Sequence, residues 1–163
     1  MTDKAISSMT ASVFLDEVRS SISGSSTFEP SDGGDKWIYL ESKVSTDSAK
    51  LISSGVLESA GDYFESPGTA ISDSDKVLWL AVKVSDTSGA VNHGVCICLD
   101  GDNAAYDATD GIFLEKDEMT VFKTPNATVG DIYATCVKFT DGSPSANGVA
   151  ITLIQIAAIL DDV

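Results

Sequence analysis

The chain has 163 residues, of which 43% are apolar, and its 25 acidic and 10 basic residues give a net charge of −15. This length suits one domain with a sizeable core, and the apolar fraction is too high for a disordered chain. A surface this acidic repels phosphate backbones, which argues against nucleic-acid binding. Acidic surfaces are also common in proteins from salty environments, so the net charge by itself does not select a function.

Residues 1–34 differ in composition from the rest and are predicted to form an N-terminal arm and linker. Residues 20–26 are almost all serine and glycine, and residues 29–34 are rich in turn formers. Before them, residues 10–19 predict a short helix with Thr10 as its N-cap and with Phe14, Val18 and Ile22 on one face. Because such a helix is weak alone, we expect this segment to become ordered on a partner. The predicted partner-binding residues are Phe14, Leu15, Val18 and Ile22.

Residues 35–163 are predicted to form an antiparallel β-sandwich of the jelly-roll or immunoglobulin-like kind, which makes the chain an all-β protein. The clearest strand is 77–84, where Leu78, Leu80, Val82 and Val84 alternate with other residues and predict one fully apolar face. Short strands that follow at close intervals, without helical periodicity between them, favour an antiparallel sandwich over a parallel sheet. The other predicted strands are 37–44, 49–53, 93–99, 112–115, 119–123, 132–140 and 149–160.

No catalytic signature is present, and we expect neither enzymatic activity nor a cofactor. His93 is the single histidine and follows Asn92 at the entrance of a predicted strand, where a loop histidine is the usual interpretation. Cys96 and Cys98 stand two apart on one face of that strand, and either one could approach Cys136 across the sheet. This spacing differs from the close pairs of a structural zinc site, so we interpret all three as buried thiols.

The most polar loop, residues 100–110, is the best candidate for a cation site. Its carboxylates are hard oxygen ligands of the type that calcium prefers. The EF-hand pattern fails, because Ala104 and Ala105 occupy positions that need an acidic ligand and a glycine. Turn formation is the competing interpretation of the same residues. The candidate calcium ligands are Asp100, Asp102, Asp107 and Asp110.

The sequence predicts neither a membrane span nor a secretory signal. The longest apolar run, 149–160, contains Thr152 and Gln155 and is too short to cross a bilayer. Residues 1–4 lead into Ala-Ile-Ser-Ser without an apolar signal core. We therefore expect a protein that is made in the cytoplasm and has no membrane partner.

Three stretches, taken in order, carry a family resemblance that covers about the second half of the chain. They are 79–83 (Trp-Leu-Ala-Val-Lys), 99–114 (Leu-Asp-Gly-Asp-Asn-Ala-Ala-Tyr-Asp-Ala-Thr-Asp-Gly-Ile-Phe-Leu) and 121–132 (Val-Phe-Lys-Thr-Pro-Asn-Ala-Thr-Val-Gly-Asp-Ile). Together they resemble small β-sandwich proteins that decorate or cement the heads of tailed bacteriophages. The resemblance implies a non-enzymatic virion protein on the capsid surface, bound to the major capsid protein and often oligomeric. The alternative is a carbohydrate- or calcium-binding β-sandwich module that uses the loop 100–110.

Overall fold

A computed structural model describes residues 4–15, 18–29, 36–44, 49–52, 64–65, 71–87, 91–101, 111–124, 126–146 and 152–161. The chain divides into two compact units, Met1–Gly33 and Gly34–Val163. The first unit contains strands β1 (Ala5–Leu15) and β2 (Val18–Phe28). The second contains β3 (Lys36–Val44), β4 (Ala49–Lys50), β5 (Phe64–Glu65), β6 (Lys76–Asp86), β7 (His93–Cys98), β8 (Ile112–Glu115), β9 (Met119–Phe122), a 3-10 helix (Val129–Asp131), β10 (Tyr133–Thr140), β11 (Ser143–Ala146) and β12 (Thr152–Asp161).

The first unit is an antiparallel β-hairpin, which we call the N-terminal hairpin, and the helix predicted for residues 10–19 is wrong. Strand β1 pairs with β2 along its whole length, from Ala5 opposite Phe28 to Leu15 opposite Val18. Two residues connect the strands, which is the shortest common hairpin connection. Serines and β-branched residues are poor helix formers, and the same residues are accepted readily in an extended strand.

The second unit is an antiparallel β-sandwich, which confirms the predicted fold class. One sheet, which we call the β12 sheet, has the order β5-β3-β12-β6-β9. The other, the β10 sheet, has the order β11-β10-β7-β8, and β4 pairs beside β11 on the same edge of β10. When the edge strands β5 and β11 are set aside, the other described strands of the second unit form two four-stranded sheets, β3-β12-β6-β9 and β4-β10-β7-β8. This is the order of a jelly roll, the first of the two predicted topologies.

The sandwich core lies between the inner faces of the two sheets. The alternation predicted for β6 holds for Leu80, Val82 and Val84, all of which are fully buried in the core. It is wrong for Leu78, because Ile159 pairs with Trp79 while the next residue, Leu160, pairs with Val77. Leu78 is therefore the extra residue of a β-bulge, and Val77 faces the core in its place. Other core residues are Ile38, Val95, Ile97, Leu114, Ala134, Ile154, Ile156 and Ala158.

A smaller apolar cluster covers the outer face of the β10 sheet, and two of the cysteines belong to it. Cys96 and Cys98 pack there with Val137 and Phe139, and their sulfur atoms are 4.0 Å apart. The prediction that they share one face of a strand is confirmed. Cys136 pairs with Val95 and therefore occupies the opposite face, so the predicted approach to the other two thiols is wrong. All three cysteines are buried, and none is in a disulfide.

We expect Cys96→Ser to destabilise the sandwich more than Cys96→Ala. Both variants lose the sulfur, but serine places a hydroxyl among apolar side chains, and burying that group costs about 1–3 kcal/mol when it gains no new hydrogen bond. Urea unfolding followed by circular dichroism measures the difference, with Cys96→Ala as the matched control. A serine variant as stable as the alanine variant would contradict the apolar surroundings described for Cys96.

Candidate interaction surface

The two faces of the N-terminal hairpin differ in chemistry. Strand alternation and the register put Met9, Gly24, Ala11 and Ile22 on one face, which we call the apolar face. It also carries Ala5 opposite Phe28 at the open end and, between this pair and Met9, Ser7 opposite Ser26, whose hydroxyl oxygens are 2.9 Å apart. The opposite face carries mainly hydroxyl side chains: Ser8, Thr10, Ser12, Ser21, Ser23, Ser25 and Thr27.

Large apolar side chains of the hairpin are unusually exposed to solvent. Ile22 is 79% exposed and Met9 58%, both on the apolar face, whereas Ile6, 63% exposed, lies opposite Thr27 on the other face. Within the described ranges only two other large apolar side chains are exposed, so most of this exposure is concentrated in the hairpin. A two-stranded hairpin is marginally stable in water when nothing covers its apolar side chains. The apolar face is therefore the candidate site of contact with another molecule.

The four predicted partner-binding residues all lie in the hairpin, but not on one face. Ile22 is on the apolar face beside Ala11. Leu15 and Val18 pair with each other at the closed end, at register positions of that same face. Phe14 pairs with Arg19 and takes a position of the opposite face, so grouping Phe14 with Val18 and Ile22 is wrong.

Met9 is absent from the predicted partner-binding residues. A helical period of 3.6 residues leaves it outside the helix face that contains residues 14, 18 and 22. A period of two, counted from the closed end of the hairpin, places it with Ala11. That alternation between residues 5 and 13 was the available signal.

The two hairpin strands and their connection contain few charged residues. Residues 5–28 contain Asp16, Glu17 and Arg19 as their charged residues, which leaves a net charge of −1. Residues 34–163 contain 20 acidic and 8 basic residues, a net charge of −12. The whole first unit, residues 1–33, contains 5 acidic and 2 basic residues, a net charge of −3, so its other charges flank the strands. The strand pairs themselves contribute little like-charge repulsion to a contact.

The structure describes only the beginning of the acidic loop proposed as a calcium site. Asp100 is exposed just beyond the end of β7, whereas Asp102, Asp107 and Asp110 lie outside the described residues. The next residue, Gly101, has a φ of 78° and donates its N–H to the carbonyl oxygen of Asp131 at 2.9 Å. Among the residues described, no three potential metal ligands come together.

His93 is not a loop histidine. It is the first residue of β7 and is nine-tenths buried, with Nδ1 2.9 Å from the carbonyl oxygen of Val91. Because a carbonyl oxygen only accepts, Nδ1 carries a proton and donates it in this hydrogen bond. This contact holds the imidazole ring against the turn at residues 91–92 that precedes β7, an arrangement that suits a structural role.

No helix in the described part of the chain is long and apolar enough to span a membrane. Comparison of the chain with protein-family models, with curated proteins and with solved structures found no match.

Proposed function

We propose that this chain is a non-enzymatic structural protein of a tailed-phage virion, which decorates or cements the outer capsid. In this role it is made in the host cytoplasm and binds the major capsid protein. The family resemblance of the second half of the chain supports the assignment. The jelly roll supports it by fold-level analogy, since capsid proteins use this topology, as lectins also do.

The observation that carries the proposal, and that favours assembly over sugar binding, is the N-terminal hairpin. It presents Met9 and Ile22 to solvent on one face, although exposing apolar side chains to water is unfavourable. An assembly protein requires such a segment, because the free energy released on covering it stabilises the contact with the partner.

The acidic sandwich complements this role. A net charge of −12 on residues 34–163 opposes non-specific association and keeps this chain dispersed until it meets the capsid. The nearly neutral hairpin makes the contact, while the charged unit stays on the outside of the particle.

We expect a truncated chain that starts at Asp35 to keep the sandwich and lose most of its affinity for capsid shells. The sandwich has its own core, whereas the truncation removes the exposed apolar face of the hairpin. Co-sedimentation with phage capsid shells that lack this protein measures binding, and thermal unfolding by circular dichroism checks the fold. The full-length chain is the control.

Two outcomes would count against the proposal. If the full-length chain does not bind the shells, the virion role is wrong. If the truncated chain binds as tightly as the full-length chain, the sandwich and not the hairpin makes the contact.

A further inference from the structure

We propose that the apolar face of the N-terminal hairpin binds the same face of a second copy of this chain, so that the protein forms a two-fold symmetric dimer. The inference rests on the proposed role of the hairpin in assembly, but it does not rest on the phage assignment. It follows from how large and small side chains are distributed between β1 and β2.

At three levels of the apolar face a large residue lies opposite a small one, and at a fourth level Ser7 lies opposite Ser26. Met9 lies opposite Gly24, and Ile22 lies opposite Ala11. At the open end, Phe28 lies opposite Ala5. The large residue belongs to β1 at the first of these levels and to β2 at the other two. The face therefore has bumps and hollows on both strands.

Such a face is complementary to itself under one particular symmetry. A two-fold axis that runs parallel to the strands, midway between two stacked hairpins, places β1 of one copy over β2 of the other. Met9 of each copy then meets Gly24 of its partner, and Ile22 of each copy meets Ala11. Large residues meet small ones at these levels and at the open end, where Phe28 meets Ala5, which is how two sheets interdigitate in a packed core. At the intervening level the small residues Ser7 and Ser26 meet their counterparts. A two-fold dimer uses the same patch of both copies, as this arrangement does.

Gly24 provides the clearest hollow. A Cβ built at this position has no atom within 4 Å, and the residue itself is exposed. Glycine in the interior of a strand weakens the strand and often marks a place where another group approaches closely. Here the approaching group is the side chain of Met9 from the second copy.

Charge points to the hairpin as the place where two copies can meet. Two sandwich units of −12 each repel one another, whereas two hairpin segments of −1 each scarcely do. The face is small, about 36 Å long and about 10 Å wide from strand rise and spacing. An interface of this size lies well below the standard area of about 1,200–2,000 Å², so we expect a dimer of micromolar affinity.

Sedimentation velocity of the full-length chain tests the proposal. We expect the dimer fraction to rise from low micromolar to submillimolar concentration, and to rise further at molar salt, which screens repulsion between the acidic units. Ile22→Lys should raise the dissociation constant by about tenfold or more, because it buries an unpaired charge in the contact. Ser23→Lys adds the same charge one residue away on the opposite face and should change it by less than about twofold.

Exchanging the bump and the hollow tests the symmetry axis itself. Met9→Gly removes the bump, and Gly24→Met fills the hollow, so each single variant should weaken the dimer. The double variant restores a large residue opposite a small one at the same level and should recover most of the parent affinity. The proposed two-fold packing predicts this recovery, because Met9 of one copy meets Gly24 of the other. Met9 and Gly24 also pair within one hairpin, so far-UV circular dichroism of each variant checks that the single exchanges leave the hairpin itself intact.

A chain that stays monomeric over the whole concentration range would overturn the proposal. So would equal effects of Ile22→Lys and Ser23→Lys, or a double exchange variant as weak as the single ones. A monomer that binds capsid shells through its hairpin would overturn the dimer while leaving the proposed function standing. A dimer that fails to bind the shells would overturn the proposed function while leaving the dimer standing.

Discussion

Gly94→Ala is expected to destabilise the sandwich severely, by about 3 kcal/mol or more, at or above the upper end of the range for overpacked interiors. A Cβ at this position would overlap the backbone carbonyl of Leu114 and lie 2.9 Å from the ring of Phe139. Gly94 pairs with Glu115 in β8 and with Val137 in β10, so strands flank it on both sides. The obstructing atoms of Leu114 belong to the backbone, and no rotamer change can move them. Relief requires strands β7 and β8 to separate.

Gly24→Ala is the matched control, because it makes the same change in a strand where the new Cβ meets nothing within 4 Å. We expect it to leave the unfolding transition of the sandwich unchanged. Thermal and urea unfolding, followed by far-UV circular dichroism, measure both variants. An alanine variant at position 94 that unfolds with the parent would show that β7 and β8 are not paired as described.

Most strands of the sandwich could be predicted because their signal is local. The alternation around Leu80 and Val82 reflects a strand with one buried face, and such a pattern does not depend on which strand lies beside it. The neighbours themselves could not be predicted. Strand β12 inserts between β3 and β6, a pairing of segments distant in sequence that no local pattern encodes. The bulge at Leu78 arises from that pairing and was missed for the same reason.

Strand β11 was missed although its signal was present. Asp141 and Gly142 have φ values of 51° and 77°, which is the left-handed conformation at both central residues of a two-residue hairpin turn. An Asp-Gly pair directly after a strand is typical of this turn. Proline is disfavoured in central strands, but β11 is an edge strand, where Pro144 is tolerated.

At the candidate interaction surface, the sequence and the structure select the same segment, although its predicted secondary structure is wrong. Apolar residues such as Ile22, set among serines, indicate a segment that cannot build its own core, whether it is a helix or a hairpin. Grouping residues into faces, however, depends on the period. A period of 3.6 joins Phe14 to Val18, whereas the hairpin register separates them. Which residues form the face is therefore decided by the strand pairing and not by composition.

Trp79→Ala is expected to lower the free energy of unfolding by about 3–5 kcal/mol, the cost typical of truncating a buried tryptophan. Trp79 is 7% exposed and pairs with Ile159, itself 3% exposed, on the face of the β12 sheet opposite the core. The expected loss is that of a large ring removed from the centre of a five-stranded sheet.

Lys83→Ala is the matched control for Trp79→Ala, since Lys83 belongs to the same strand and the same face but is exposed. Its truncation should change stability by no more than about 0.5 kcal/mol. Urea unfolding followed by far-UV circular dichroism is the measurement, because tryptophan fluorescence changes with the substitution itself. If the two variants unfold at the same urea concentration, the burial described for Trp79 is wrong, and the outer face of the β12 sheet is open to solvent in the single chain.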